Sequence, residues 1–129
     1  MSNHVILSNA LAFAIRDAFP VAPLHSLVIP HCHVRDFFGL TPKEREACAE
    51  LIHQLRGDIL KEDTEVEGFN IGVNAGQVAG QTILHSHIHL IPRRSGDVQN
   101  PRGGGRLVIA GKGHHVQDVC LFGKNPEQL

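Results

Sequence analysis

The sequence predicts an α+β domain: a mainly antiparallel sheet of about five strands with one long amphipathic helix. Short apolar segments bounded by turn residues lie on both sides of a single long run with helical spacing, and the connections between them are brief. That run sets Ala47, Cys48, Leu51, Ile52, Leu55, Ile59 and Leu60 at intervals of three and four, which gives one apolar stripe. The segment His85 to Ile91 instead alternates with period two, as an extended strand does.

In chain order, Val5 to Leu7 and Leu11 to Ile15 read as strands joined at the Ser8-Asn9 turn. Asp17 to Pro23 is a proline-bounded connection, and Ser26 to Ile29 is a strand stopped by Pro30. Thr41 is the N-cap of the helix, Pro42 its first residue, and Glu44 completes a capping box. The helix runs to about Lys61, and Phe69 to Val73 and His85 to Ile91 follow as strands around a glycine-punctuated loop. Arg93 to Arg106 predicts an irregular segment, with Leu107 to Ala110 as a short edge strand. The expected organisation is one domain over 1–129, its core at about 5–94 and an irregular Gly/Pro/Arg-rich segment over 95–129.

With 129 residues the chain suffices for one domain with a normal core. A formal net charge of −1 gives no bulk attraction for nucleic acid. The charge is unevenly spread: residues 43–67 hold eight of the thirteen acids, whereas Arg93, Arg94, Arg102 and Arg106 follow the histidine segment. These arginines suit a polyphosphate beside the histidines, or simply a solvated loop. Cys32, Cys48 and Cys120 are odd in number and lack Cys-x-x-Cys spacing, which points to a reducing, cytoplasmic setting rather than a disulfide framework. The N-terminal residues read as strand rather than signal peptide, and no apolar segment approaches the roughly 20 residues of a membrane span.

The chemistry concentrates in His85-Ser86-His87-Ile88-His89-Leu90-Ile91. On a strand the three imidazoles would line one face about 7 Å apart, with Ser86, Ile88 and Leu90 turned to the core. Imidazole can act as base, acid, nucleophile or metal ligand near neutral pH. Upstream, Gly68 to Thr82 supplies glycines whose N–H groups can approach an anion, and Asn74, Gln81 and Thr82 add neutral donors. A phosphate-handling site fits this pattern. A zinc site using His-x-His with His25, His31 or His33 is the alternative that the residue types leave open. His53 reads as a surface residue of the helix, and His114-His115 as solvent-facing.

The stretch His85 to Ile91 resembles the His-φ-His-φ-His-φ-φ pattern of the histidine triad family of nucleotide hydrolases and transferases, φ being hydrophobic; Ser86 departs from it. The resemblance extends through Ala79 to Thr82 and through Phe13 to Pro30, a block with an acid, two prolines and a further histidine in order. It implies a histidine-triad fold, a homodimer, and cleavage at a nucleotide's α-phosphate without metal or cofactor. His87 is then the nucleophile, and a backbone carbonyl beside the first triad histidine fixes its tautomer. His89 would bind a non-bridging phosphate oxygen, with His85 and His25 supporting the network of His87. Asp17 would take the ribose hydroxyls; Asn74, Gly80, Gln81 and Thr82 the phosphates; Ile15, Ala18 and Leu7 the base. Dinucleoside polyphosphates are the expected substrates, on the arginines and on the absence of the tryptophan-bearing tail of the phosphoramidase branch. Nucleoside phosphoramidates, or nucleotide binding without turnover, are the alternatives. No membrane or nucleic-acid partner is expected.

Overall fold

The computed structural model describes residues 4–102. Arg106, Leu107–Ala110, His114-His115 and Cys120, and the expectations placed on them, lie outside the described residues. Five strands form one antiparallel sheet: β1 (Val5–Ser8), β2 (Ala12–Arg16), β3 (Ser26–Pro30), β4 (Val66–Gly72) and β5 (Ile88–Arg94), in the order β1-β2-β3-β5-β4. A single long helix, α1 (Pro42–Glu62), packs across β1, β2 and β3. The α+β expectation agrees with this architecture.

The helix begins where its local chemistry dictates. The Thr41 hydroxyl accepts the Glu44 N–H at 3.1 Å, and the Glu44 carboxylate accepts the Thr41 N–H at 2.8 Å, closing the capping box. Cys48, Leu51, Leu55 and Ile59 form the buried helical stripe and meet Ala12, Ala14, Val28 and Ile88 from the sheet. Burial, and then the neighbouring Glu44 charge, push the Cys48 thiol up to about 11, so it packs as a small apolar residue. Leu7 is registered with Ala14 and packs into this same core, which removes it from the expected base slot.

The last strand differs from expectation. β5 starts at Ile88, not His85, and continues through Pro92 to Arg94. Its ladder with β3 ends at the pair Val28↔Ile88, and beyond it lies Pro30, which has no N–H to donate. The Pro30 carbonyl instead accepts from His85 Nε2 at 3.1 Å, and the Ser86 N–H donates to the Val34 carbonyl at 2.6 Å. Residues 85–87 are therefore held by the loop after β3 rather than by a strand partner. The inward-outward alternation survives: Ser86, Ile88 and Leu90 are buried, while His85, His87 and His89 are half-buried.

Ser86 carries a cost in that position. Its hydroxyl is buried without a hydrogen-bond partner, where the triad pattern has an apolar side chain. An unpaired buried hydroxyl costs about 1 kcal/mol or more. Ser86→Ala should therefore raise the thermal midpoint by a few degrees in a calorimetric scan. A lower midpoint would show that the hydroxyl is bonded in solution.

Candidate active site

The site lies on the sheet face opposite α1. The register sets Ile15 against Leu27, Leu27 against His89, and His89 against Gly72. Residues directly opposite in a ladder share a face, so Ile15, Leu27 and His89 form a row across β2, β3 and β5. Ile15, expected in the base slot, stands two strands from His89 on that face. Ala18 is exposed on the turn after β2.

His87 stands just before β5, its ring centroid 5.1 Å from that of His89. Its Nδ1 lies 2.8 Å from the His85 carbonyl oxygen. A carbonyl only accepts, so Nδ1 carries the proton, and in the neutral ring Nε2 holds the lone pair. The sequence expectation of a fixed tautomer thus acquires a named partner. The ring of His85 takes no part in that bond: it donates to Pro30 and meets the exposed His33 edge-on at 5.1 Å. The evenly spaced row of three imidazoles is replaced by a close pair, His87 and His89, with His85 turned aside.

His25 supports His89 rather than His87. The turn that delivers it holds Leu24 at φ 69°, a left-handed conformation that costs about 1–2 kcal/mol in a residue with a Cβ. His25 is 2% exposed; its Nδ1 accepts the Val21 N–H at 3.2 Å, and its Nε2 lies 2.9 Å from His89 Nδ1. A ring whose Nδ1 accepts must carry its proton on Nε2. His25 therefore donates to His89, and the proton of His89 sits on Nε2. The Asp17 carboxylate lies 3.4 Å from the same His25 Nε2, and its other oxygen accepts the Phe19 N–H at 2.9 Å.

Among the described residues, Asp17, His25 and His89 are the group whose ligand-type atoms converge, all within 4.8 Å of one another. His25 cannot ligate through a protonated Nε2, so the cluster is a hydrogen-bond chain as it stands. His31 and His33, the spare donors of the zinc alternative, do not join it. His31 lies 3.0 Å from the Asn9 carbonyl and stacks on Phe13.

The loop from Gly72 to Thr82 is organised by Gln81, which is 3% exposed. Its amide oxygen accepts the Gly76 N–H at 2.8 Å, and its amide nitrogen donates to Arg35 and Ile83 carbonyls at 2.6 and 3.0 Å. Both amide protons are spent on backbone, so Gln81 holds the loop from within rather than reaching outward. Gly76 and Gly80 have φ of 94° and 95°, where a side chain would be strained. Thr82 is exposed and Asn74 half-buried on this loop. The supporting backbone of Pro30, Val34 and Arg35 carried no side-chain signal in the sequence.

Arg93 and Arg94 are engaged away from His87 and His89. Arg93 forms a bidentate pair with Asp97 and donates to Asn70, while Arg94 pairs with Asp63 at 2.7 Å. Arg93 stands four residues beyond His89, about 13 Å along the strand. The Arg94 hydrogen bond holds the Asp63 carboxyl below its usual range, and the Arg93 hydrogen bond does the same for Asp97. Any stability these pairs add is present at neutral pH and is lost as pH falls through the carboxylate range. Arg93 and Arg94, spent on Asp97 and Asp63, give no support to a long polyphosphate.

A family model described as HIT domain matches residues 1–96. The chain belongs to the HIT domain family. A HIT-like protein of Mycoplasma genitalium is 39% identical over 93 residues, which cover 72% of this chain and 65% of that protein. The bis(5'-adenosyl)-triphosphatase of Dictyostelium discoideum is 34% identical over 98 residues, 76% of this chain and 65% of its own length. The crystal structure of a HIT family protein from Bacillus anthracis superposes with a TM-score of 0.69 at 34% identity, covering 74% of this chain and 67% of the other. The chain thus spans about two thirds of the length of each of these three proteins. No helix among the described residues is long and apolar enough to cross a membrane.

Proposed function

We propose that this HIT protein is a nucleotide hydrolase or transferase that cleaves at the α-phosphate through a nucleotidyl-histidine on His87, with dinucleoside polyphosphates as substrates. The tautomer of His87 carries the reading. Its proton is committed to the His85 carbonyl, so a neutral ring offers its lone pair at Nε2 to an electrophile. The similarity to a bis(5'-adenosyl)-triphosphatase supports the substrate class.

In the first step His87 Nε2 bonds to the α-phosphorus as the bond to the leaving phosphate oxygen breaks. His89, whose proton sits on Nε2, donates to phosphate oxygen as charge develops there. Water then attacks the same phosphorus, the P–N bond breaks, and His87 is restored as the nucleoside monophosphate departs. In this reading Asp17 takes the ribose hydroxyls, Ile15 and Ala18 flank the base, and Asn74, Gly80 and Thr82 contact the phosphates.

Brief mixing with diadenosine tetraphosphate, followed by acid-free intact-protein mass spectrometry, tests the reading. The expected result is released AMP and a protein heavier by one adenylyl group, labile to acid. Turnover of a nucleoside phosphoramidate but not of the polyphosphate would correct the substrate class. No adduct and no turnover of either would leave a nucleotide-binding protein.

A further inference from the structure

We infer that Asp17 is a positioning residue for proton transfer: it is the acceptor that lets His89 hold a second proton and act as an acid and then as a base. This rests on the reading of the site as a phosphoryl-group processing centre. As the chain stands, His25 Nε2–H donates to His89 Nδ1, so His89 is neutral with its one proton on Nε2. Such a ring can hydrogen-bond a phosphate oxygen. It cannot surrender that proton, because an imidazolate would remain.

To become an imidazolium, His89 must take a proton on Nδ1 and find an acceptor for it. His25 cannot accept, since its own Nδ1 lone pair is engaged by the Val21 N–H and its Nε2 carries a proton. Asp17 can. Its carboxylate lies 3.4 Å from His25 Nε2, and the converging atoms of Asp17, His25 and His89 are all within 4.8 Å. With a proton on each, the His25 and His89 nitrogens now 2.9 Å apart must separate, and the half-buried Asp17 carboxylate then accepts from both while its second oxygen stays on the Phe19 N–H.

The proton count then closes over one turnover. One proton from solvent makes His89 an imidazolium paired to ionised Asp17. In the first step the leaving oxygen takes the Nε2 proton, and His89 is left neutral with Nδ1–H still on Asp17. Nε2 now holds a lone pair, takes a proton from the attacking water in the second step, and returns to imidazolium. No proton has to leave Asp17 or His25.

His87 is the neighbour of His89 at 5.1 Å, the adjacent β3 and β4 residues are Leu27 and Gly72, and Arg93 on β5 is paired with Asp97. Arg16 bonds Ser26, which is registered with Leu90 on the α1 face. Asp17 is the carboxylate that the described residues bring to this ring.

The test compares wild type, Asp17→Asn and Asp17→Glu in two ways. Nitrogen chemical shifts of the His89 ring are followed through a pH titration of the substrate-free protein. The pH profile of kcat is recorded with a ribonucleotide substrate and its 2',3'-dideoxy analogue. A carboxylate beside an imidazolium favours the charged form, so loss of its charge should move the His89 transition to lower pH by about one unit. The alkaline limb of kcat should move with it, costing about tenfold at pH 8 and little at pH 6. Asp17→Glu keeps the charge and should recover most of the shift. The same displacement is expected with both substrates. If both transitions stay in place in Asp17→Asn, and only KM rises and only for the substrate with sugar hydroxyls, Asp17 binds ribose and nothing more, and the inference fails. If wild type turns over no substrate, the proposed activity fails, and the ring titration still decides whether Asp17 governs His89.

Discussion

His87→Ala should leave a folded protein that binds nucleotide with little change in affinity and hydrolyses it on the order of 10^4-fold more slowly or worse. The ring is half-buried before the first residue of β5, and its one described hydrogen bond runs to the adjacent His85 carbonyl. Its removal therefore disturbs little of the core, which is built on the other sheet face from Ala12, Ala14, Val28 and Ile88. What disappears is the nitrogen that forms the bond to phosphorus, and neither His85 nor His89 can replace it. His85 donates to Pro30, and His89 carries its proton on the nitrogen that would have to attack. Calorimetry, nucleotide titration and AMP release on one preparation check all three parts. Residual turnover within tenfold of wild type would show that water attacks directly.

The second large effect is expected at Gln81, for a different reason. Gln81→Leu keeps the volume and removes one acceptor and two donors, leaving the Gly76 N–H and the Arg35 and Ile83 carbonyls without their amide partner. At about 1 kcal/mol each, the loss is about 3 kcal/mol, a sizeable part of what holds a small domain together. Denaturant unfolding should show it as a lower midpoint at unchanged slope. Turnover should fall as well, because the same loop carries Thr82 and leads straight into His85. Gln81→Glu retains the acceptor for Gly76 but sets a buried carboxylate oxygen against the Arg35 and Ile83 carbonyls, and should cost at least as much. A variant with full stability and impaired turnover would instead make Gln81 a substrate contact.

These two residues mark where the sequence was and was not legible. The helix could be read almost to the residue because its causes are local: Thr41, Pro42 and Glu44 start it, and the apolar stripe keeps it. β2 and β3 were equally readable from their turns and apolar runs. The first residue of β5 was not, because it depends on Pro30, which lies opposite only after the chain has folded. The alternation of His85 to Leu90 was correct in burial and misleading in geometry. Loop backbone rather than a ladder holds residues 85–87, so the imidazoles pair instead of lining up. Gln81 looked like a phosphate donor because an amide in a glycine-rich loop suits either duty, and its partner Arg35 is 46 residues away. Arg93 and Arg94 looked like a phosphate patch for the same reason. Asp97 could have been paired with Arg93 from a spacing of four, but Asp63 is 31 residues from Arg94. The link from His25 to His89 spans 64 residues and was not legible: the family resemblance had assigned His25 to the network of His87.

The central claim is that phosphorus is passed to His87 and then to water. Stereochemistry at the α-phosphorus tests it most directly. A dinucleotide substrate made chiral at that phosphorus with sulfur and an oxygen isotope, hydrolysed in isotopically distinct water, reports the number of displacements. Each in-line displacement inverts the centre, so two through His87 give the monophosphate with net retention. Net inversion would mean a single attack by water, and His87 would then be a base or a binding group rather than the nucleophile.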